Sequence, residues 1–152
     1  MKKIIISDAP LARKLFSEIW PFSFVWLAVR LYLGWLWLDA GWEKIVGEKW
    51  GPKALLGFWE KSVAISAPPA KSPITYDWYR SFLEFLISIQ AESWFAPLVA
   101  WGEFLVGLAL ILGFFVGISA IIGAFMNMNF MLAGVASINP VMFLLSILLI
   151  LA

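Results

Sequence analysis

The last third of the chain decides which solvent the protein folds in. No charged side chain occurs after Glu103, so residues 104–152 cannot form an ordinary water-facing surface. Over the whole chain, hydrophobic residues make up 62% and charged residues 14%. This composition is typical of an integral membrane protein, and 152 residues are enough for one membrane domain.

Two residue types are missing, and their absence limits the chemistry. The chain contains no cysteine and no histidine. We therefore expect no disulfide, no thiol relay, no covalently attached cofactor and no metal site. A redox role would need a diffusible cofactor such as a membrane quinone, or a partner protein that carries the electrons. The net charge of +1 argues against a nucleic-acid partner.

The apolar runs predict an all-α, four-helix integral membrane bundle. A helix needs about 20 apolar residues to cross a bilayer. The predicted segments are helix 1 at 22–44, helix 2 at 94–115, helix 3 at 117–137 and the start of helix 4 at 140–152. Asn139-Pro140 should break the third run. The fourth run is too short to cross, so we expect the chain to continue beyond Ala152; the alternative is that a partner completes this helix.

Residues 1–20 are predicted to form an interfacial segment. Leu11, Leu15 and Ile19 recur with helical spacing opposite a polar side, although a frayed polar tail is the alternative. The apolar run at residues 4–6 is too short for a signal peptide. Basic residues before helix 1 predict that the N-terminus lies on the cytoplasmic side of a prokaryotic plasma membrane. Basic residues also follow that helix, which conflicts with this orientation.

The more hydrophilic stretch at residues 45–93 predicts an extramembrane loop with two amphipathic helices. In the first, at 53–65, Leu55, Trp59 and Val63 share a side. In the second, at 77–89, Asp77 is the expected N-cap and one side carries Trp78, Phe82, Phe85 and Ile89. A proline-rich linker at 66–73 separates them. This loop is either an interfacial anchor or a lid over a ligand cavity.

Each long helix carries a stripe of small and polar residues. In helix 1 the stripe is Arg30, Gly34, Trp37, Gly41 and Lys44, at helical spacing. The corresponding stripes are Ala96, Val99, Glu103, Gly107 and Leu110 in helix 2, and Ser119, Gly123, Asn127, Phe130, Gly134 and Ser137 in helix 3. Small residues on such stripes allow close approach of a helix or a ligand.

The depths of three polar residues predict a contact between them. Counting about 1.5 Å per residue from the cytoplasmic boundary places Arg30 about 12 Å and Asn127 about 15 Å into the membrane. Helix 2 enters from the opposite side, and counting back across a core of about 30 Å places Glu103 about 16–17 Å from the cytoplasmic boundary. Since an opposite charge reduces the cost of an ionised group in hydrocarbon, we predict an Arg30–Glu103 pair with Asn127 as a further hydrogen-bond partner. The alternative is a polar clasp that only fixes helix register.

Three strings together resemble the DoxX family. They are Arg30-Leu31-Tyr32-Leu33-Gly34 with Gly41-Trp42-Glu43-Lys44, then residues 102–113 from Gly102-Glu103 to Gly113, and Met126-Asn127-Met128-Asn129-Phe130. The resemblance implies a four-helix membrane protein related to the DoxD subunit of thiosulfate:quinone oxidoreductase. The family's polar signature then falls on Arg30, Gly34, Gly41, Lys44, Glu103 and Gly107. The incomplete fourth helix and the long Trp-rich loop depart from the family pattern.

The leading hypothesis is a membrane subunit of a respiratory or sulfur-linked redox system that interacts with a quinone. The quinone headgroup would contact Arg30, Trp37, Glu103 and Asn127, and Glu103 would exchange the proton that accompanies reduction. The alternative is a non-enzymatic membrane scaffold or accessory subunit of a larger complex. A transporter is weaker, since no internal repeat is evident. Expected partners are the lipid bilayer and either another protein or a second copy.

Overall fold

The computed structural model of the protein describes residues 20–64 and 72–151. The predicted interfacial segment before Trp20, with the basic residues that suggested the orientation, lies outside the described residues. Most of the proline-rich linker does too. Within the described ranges the chain forms helices and no strand, which confirms the all-α prediction.

The described residues contain six helices, here numbered in chain order. They are α1 (Trp20–Val46), α2 (Pro52–Val63), α3 (Asp77–Ser88), α4 (Glu92–Leu112), α5 (Val116–Leu132) and α6 (Asn139–Leu151). The two short helices α2 and α3 fall in the long loop where amphipathic helices were expected. The other four are the apolar runs.

The third apolar run ends earlier than predicted. The sequence pattern continued to residue 137, but α5 ends at Leu132 and the chain turns through Gly134, whose φ is 92°. A Cβ at this position would lie 2.9 Å from Pro73 Cβ, so Gly134 also permits close packing of the loop. The Asn139-Pro140 pair then begins α6, where proline at the first turn is well tolerated.

Helices α1 and α4 run antiparallel in very close contact, because glycines line the contact on both sides. A Cβ added to Gly107 would lie 2.7 Å from the Gly34 carbonyl oxygen and 2.7 Å from Leu38 Cα. A Cβ added to Gly41 would lie 2.7 Å from Phe104 Cα. The predicted small-residue stripes of the first two long helices are therefore the surfaces through which those helices meet.

The second antiparallel pair, α5 and α6, completes a four-helix arrangement around one apolar core. The buried members of this core are Leu33, Trp37, Val106, Leu110, Ala120, Met142 and Leu149. By length and composition, α4 is the one described helix that is both long and apolar enough to cross a bilayer. Helices α5 and α6 are apolar but shorter.

A second apolar cluster joins α2 and α3 to one end of these helices, and we call this unit the cap. Its buried residues are Leu55, Trp59, Ile74, Tyr79, Leu83, Leu86, Ala91, Ala96 and Ala133. Arg80 fastens the cap internally, since its guanidinium donates to the Val63 carbonyl at 2.9 Å and to the Ile74 carbonyl at 3.1 Å. The first turns of α4 thus belong to the cap as much as to the bundle.

The structure shows which side of each short helix packs into the cap. In α2, Leu55 and Trp59 are buried as expected. In α3 the buried side chains are Tyr79, Leu83 and Leu86, whereas the predicted aromatic side is exposed. Both sides of α3 are apolar, so periodicity alone could not identify the inner one.

The expected N-cap of α3 also differs from the structure. Asp77 is the first helical residue, and the N-cap position belongs to Tyr76 in an extended conformation. No side chain caps this helix end. The Asp77 carboxylate still lies in the first turn, where a negative charge interacts favourably with the helix dipole.

Candidate functional site

The central polar contact of the bundle joins Lys44 and Glu103. Lys44 Nζ donates to Glu103 Oε2 at 2.6 Å, a short charge-assisted hydrogen bond. Glu103 is only 1% exposed, whereas the side chain of Lys44 retains 23% exposure. The pair therefore has a buried acidic end and a basic end that reaches toward the cap.

The predicted Arg30–Glu103 pair does not occur among the described residues. The guanidinium of Arg30 lies instead against Gly113, which follows the last residue of α4. A cation there is favourable because the final carbonyls of a helix carry partial negative charge. Arg30 Nε is buried and has no hydrogen-bond partner in the part of the chain that the structure describes.

The error arose from the register of the two helices. The depth estimate assumed that each apolar run begins at the membrane boundary. The first turns of α4 instead lie within the cap, where Ala91 and Ala96 are buried. This shifts α4 along α1 until Glu103 reaches Lys44, the last residue of the helix 1 stripe.

Trp37 and Asn127 bring three unsatisfied polar atoms into the same region. The indole nitrogen of Trp37 and both amide atoms of Asn127 are buried and have no hydrogen-bond partner within the described ranges. The indole nitrogen faces Gly123, where a Cβ would lie 2.9 Å away. Asn127 is one turn further along α5 and is fully buried. The predicted hydrogen bond between Asn127 and the central pair is therefore not formed.

Glu103 and Asn127 each adjoin a contact between α4 and α5. Met126 packs toward Gly102, where a Cβ would lie 3.7 Å from the methionine sulfur. Glu103 follows Gly102 in α4, and Asn127 follows Met126 in α5. We take Trp37, Lys44, Glu103 and Asn127 together as the candidate site, whereas Arg30 lies at the other end of the α1–α4 pair.

Trp50 is the residue of this region that sequence reasoning missed. Its ring centroid lies 5.2 Å from Lys44 Nζ, within the range of a cation–π interaction. Its indole nitrogen donates to the Ala96 carbonyl at 3.0 Å, which fixes the ring between the cap and α4. The only signal in the sequence was its position shortly after Lys44 in a Trp-rich loop.

The arrangement offers a ligand both hydrogen-bond donors and an acceptor. Trp37 and Asn127 have unused N–H groups, and the Asn127 amide oxygen has an unused acceptor position. The ion pair adds a carboxylate and an ammonium. Hydrogen bonding to a small polar headgroup and proton exchange with it require chemical groups of these kinds.

Comparison with known proteins identifies a family but no individual relative. No curated protein matches the chain, and no solved structure does. The family model of DoxX matches residues 25–137, which include all four residues of the site as well as Arg30. The glycines of the α1–α4 contact lie within the same range. The chain belongs to the DoxX family.

Proposed function

We propose that the protein is a quinone-binding membrane subunit of a respiratory or sulfur-linked redox system. In this proposal α1, α4, α5 and α6 form the membrane bundle, with the cap at one surface. DoxX membership supports the membrane setting. The observation that supports a bound quinone is the set of three buried polar atoms on Trp37 and Asn127 that have no hydrogen-bond partner within the described residues.

The energetic argument concerns what those atoms lack. A buried donor or acceptor without a partner destabilises a protein by about 1–3 kcal/mol. A quinone carbonyl accepts hydrogen bonds from the Trp37 and Asn127 N–H groups, and a quinol hydroxyl donates to the Asn127 amide oxygen. The apolar remainder of the ligand lies among the apolar side chains of the bundle.

The ion pair supplies the protonation chemistry in this proposal. Reduction of a quinone to a quinol takes two electrons and two protons. Glu103 relays both protons to the bound headgroup in succession, and water at the exposed end of Lys44 replaces each of them. Lys44 holds the carboxylate in place and connects it to the more exposed region beneath the cap. The electrons come from a partner protein that carries its own redox centre.

The test is the quinone content of protein purified from its native membrane. Asn127→Leu removes both unsatisfied amide atoms at similar volume, and we expect it to reduce bound quinone about 2-fold to 12-fold, from one lost hydrogen bond of about 0.5–1.5 kcal/mol. Ser119→Ala is the matched control, because Ser119 is buried on the same side of α5. The control should retain quinone.

An accessory scaffold is the second candidate, and one observation favours it. Lys44 already satisfies Glu103, so the ion pair needs no ligand to be stable in the bundle. A scaffold predicts that Asn127→Leu leaves the quinone content unchanged and raises the melting temperature, because it only removes an unsatisfied amide. That result would refute the quinone site.

A further inference from the structure

Helix α3 presents a row of large apolar side chains away from the protein. Trp78 is 63% exposed and Phe85 is 58% exposed, and Phe82 and Ile89 lie on the same side of the helix. These four residues form what we call the outer face of α3. Tyr79, Leu83 and Leu86, about a quarter turn round the helix, are already buried in the cap cluster, so the outer face does not serve the core.

The outer side of α2 has a different character. Its exposed residues include Lys53, Glu60 and Lys61, as expected for a helix in contact with water. The cap therefore has one polar outer side and one aromatic outer side. This asymmetry indicates that the two helices face different surroundings.

Contacts at both ends of α3 show how it lies on the bundle. Near its start, the Tyr79 hydroxyl donates to the Asn129 carbonyl at 3.0 Å, close to the end of α5. At its other end, the turn at Ala91 leads directly into α4. The start of α4 and the end of α5 lie at the same end of the antiparallel bundle. Helix α3 therefore crosses that end instead of extending away from it.

The outer face is continuous along the chain with the apolar exterior of α4. Ile89 precedes the turn and Trp94 follows it, both exposed. From there an exposed stripe follows the full length of α4, through Trp94, Leu98, Trp101, Leu105, Leu108 and Leu112. In a DoxX-family membrane protein this stripe is the side that faces lipid. Tryptophan is enriched where such surfaces meet the headgroups.

We propose that the outer face of α3 binds the lipid bilayer at the boundary between headgroups and acyl chains. Trp78, Phe82, Phe85 and Ile89 insert there, α3 lies along the membrane surface, and α2 remains on the water side of the cap. The cap is thereby held on the membrane in which the bundle sits. This inference requires the membrane setting of the family but no quinone site.

The absence of native cysteine makes a direct test possible, because each introduced cysteine is unique. We would attach a nitroxide spin label at Phe85→Cys, Lys61→Cys and Leu105→Cys in the full chain, reconstituted in phosphatidylcholine vesicles. Collisions with oxygen report acyl chains, and collisions with a water-soluble nickel chelate report water. Leu105 on α4 and Lys61 on α2 provide the lipid and water references.

We expect the label at position 85 to have an oxygen-to-nickel ratio shifted toward that at position 105 and away from that at position 61. Trp78→Cys should give the same shift, which guards against a local effect of one substitution. A ratio equal to that at position 61 would place the outer face in water. Low accessibility to both reagents would show that protein, either a partner or a second copy, covers it. Either result overturns the proposal.

Discussion

Replacing Gly41 with alanine tests one of the closest contacts between α1 and α4. The new Cβ would lie 2.7 Å from Phe104 Cα and 2.9 Å from Phe104 Cβ. Unstrained carbon atoms pack at about 3.5–4.0 Å, so α4 must move away from α1 by about 1 Å. Since the obstruction is backbone, no side-chain rotation relieves it. The same movement stretches the neighbouring Lys44–Glu103 hydrogen bond.

The expected magnitude follows from comparison with a second glycine. Overpacking a tight contact destabilises a protein by about 1–3 kcal/mol. Gly57 lies within α2 and has nothing within 4 Å of its added Cβ, so Gly57→Ala should stabilise by about 0.5–1 kcal/mol through helix propensity. Gly41 also lies within a helix and gains the same propensity, so the free energies of unfolding of the two variants should differ by the overpacking alone, about 1–3 kcal/mol.

Thermal unfolding in detergent, followed by tryptophan fluorescence, measures this difference. For a chain of this size each kcal/mol shifts the melting temperature by about 2–4 °C, so the two variants should melt about 2–12 °C apart. Gly102→Ala is a further control, because its Cβ would make only ordinary contact with Met126 at 3.7 Å. If Gly41→Ala melts at or above the unmodified protein, the close approach of α1 and α4 is refuted.

Two further predictions concern charge and pH. Lys44→Met should destabilise the protein by about 3–5 kcal/mol because it leaves the Glu103 carboxylate buried and unpaired. Adding Glu103→Leu to the same chain should restore most of the melting temperature. An equal loss of melting temperature in the single and double variants would contradict this. Burial raises the pKa of Tyr79 to about 12 from its ordinary value of 10.0, so the unfolded chain loses this proton first as pH rises. Stability should therefore be complete below pH 10 and fall by about 2–3 kcal/mol toward pH 12, and Tyr79→Phe should remove this part of the pH dependence in melts at successive pH values.

Much of the bundle was predictable from spacing alone. The stripes of Gly34, Gly41 and Gly107 are the surfaces through which α1 and α4 meet, and Glu103 and Asn127 are fully buried as their position in apolar runs required. The positions of these residues were predictable because polar or very small side chains are rare in an apolar helix and therefore stand out in the sequence. The helical period then shows which of them share one side of the helix.

The register and the inner face of α3 were not predictable, for one shared reason. Lipid is as apolar as a protein core, so hydrophobic residues do not reveal which side of a helix faces protein. In α3 the buried Leu83 and the exposed Phe82 look alike in the sequence. In α4 the run that begins at Trp94 gives no sign that its first turns belong to the cap. The shift of α4 along α1 decides which residue pairs with Glu103, and this shift could not be predicted from the sequence.

The two basic residues of α1 together have a mechanical consequence. Arg30 contacts Gly113 just beyond the end of α4, and Lys44 contacts Glu103. Gly113 and Glu103 lie about 15 Å apart along α4, at about 1.5 Å per residue. Sliding α1 past α4 by one turn, about 5.4 Å, would break both contacts and drive side chains into the glycine positions. We therefore expect helices α1 and α4 to move as one rigid body, and any opening of the bundle to occur where α5 and α6 meet this pair.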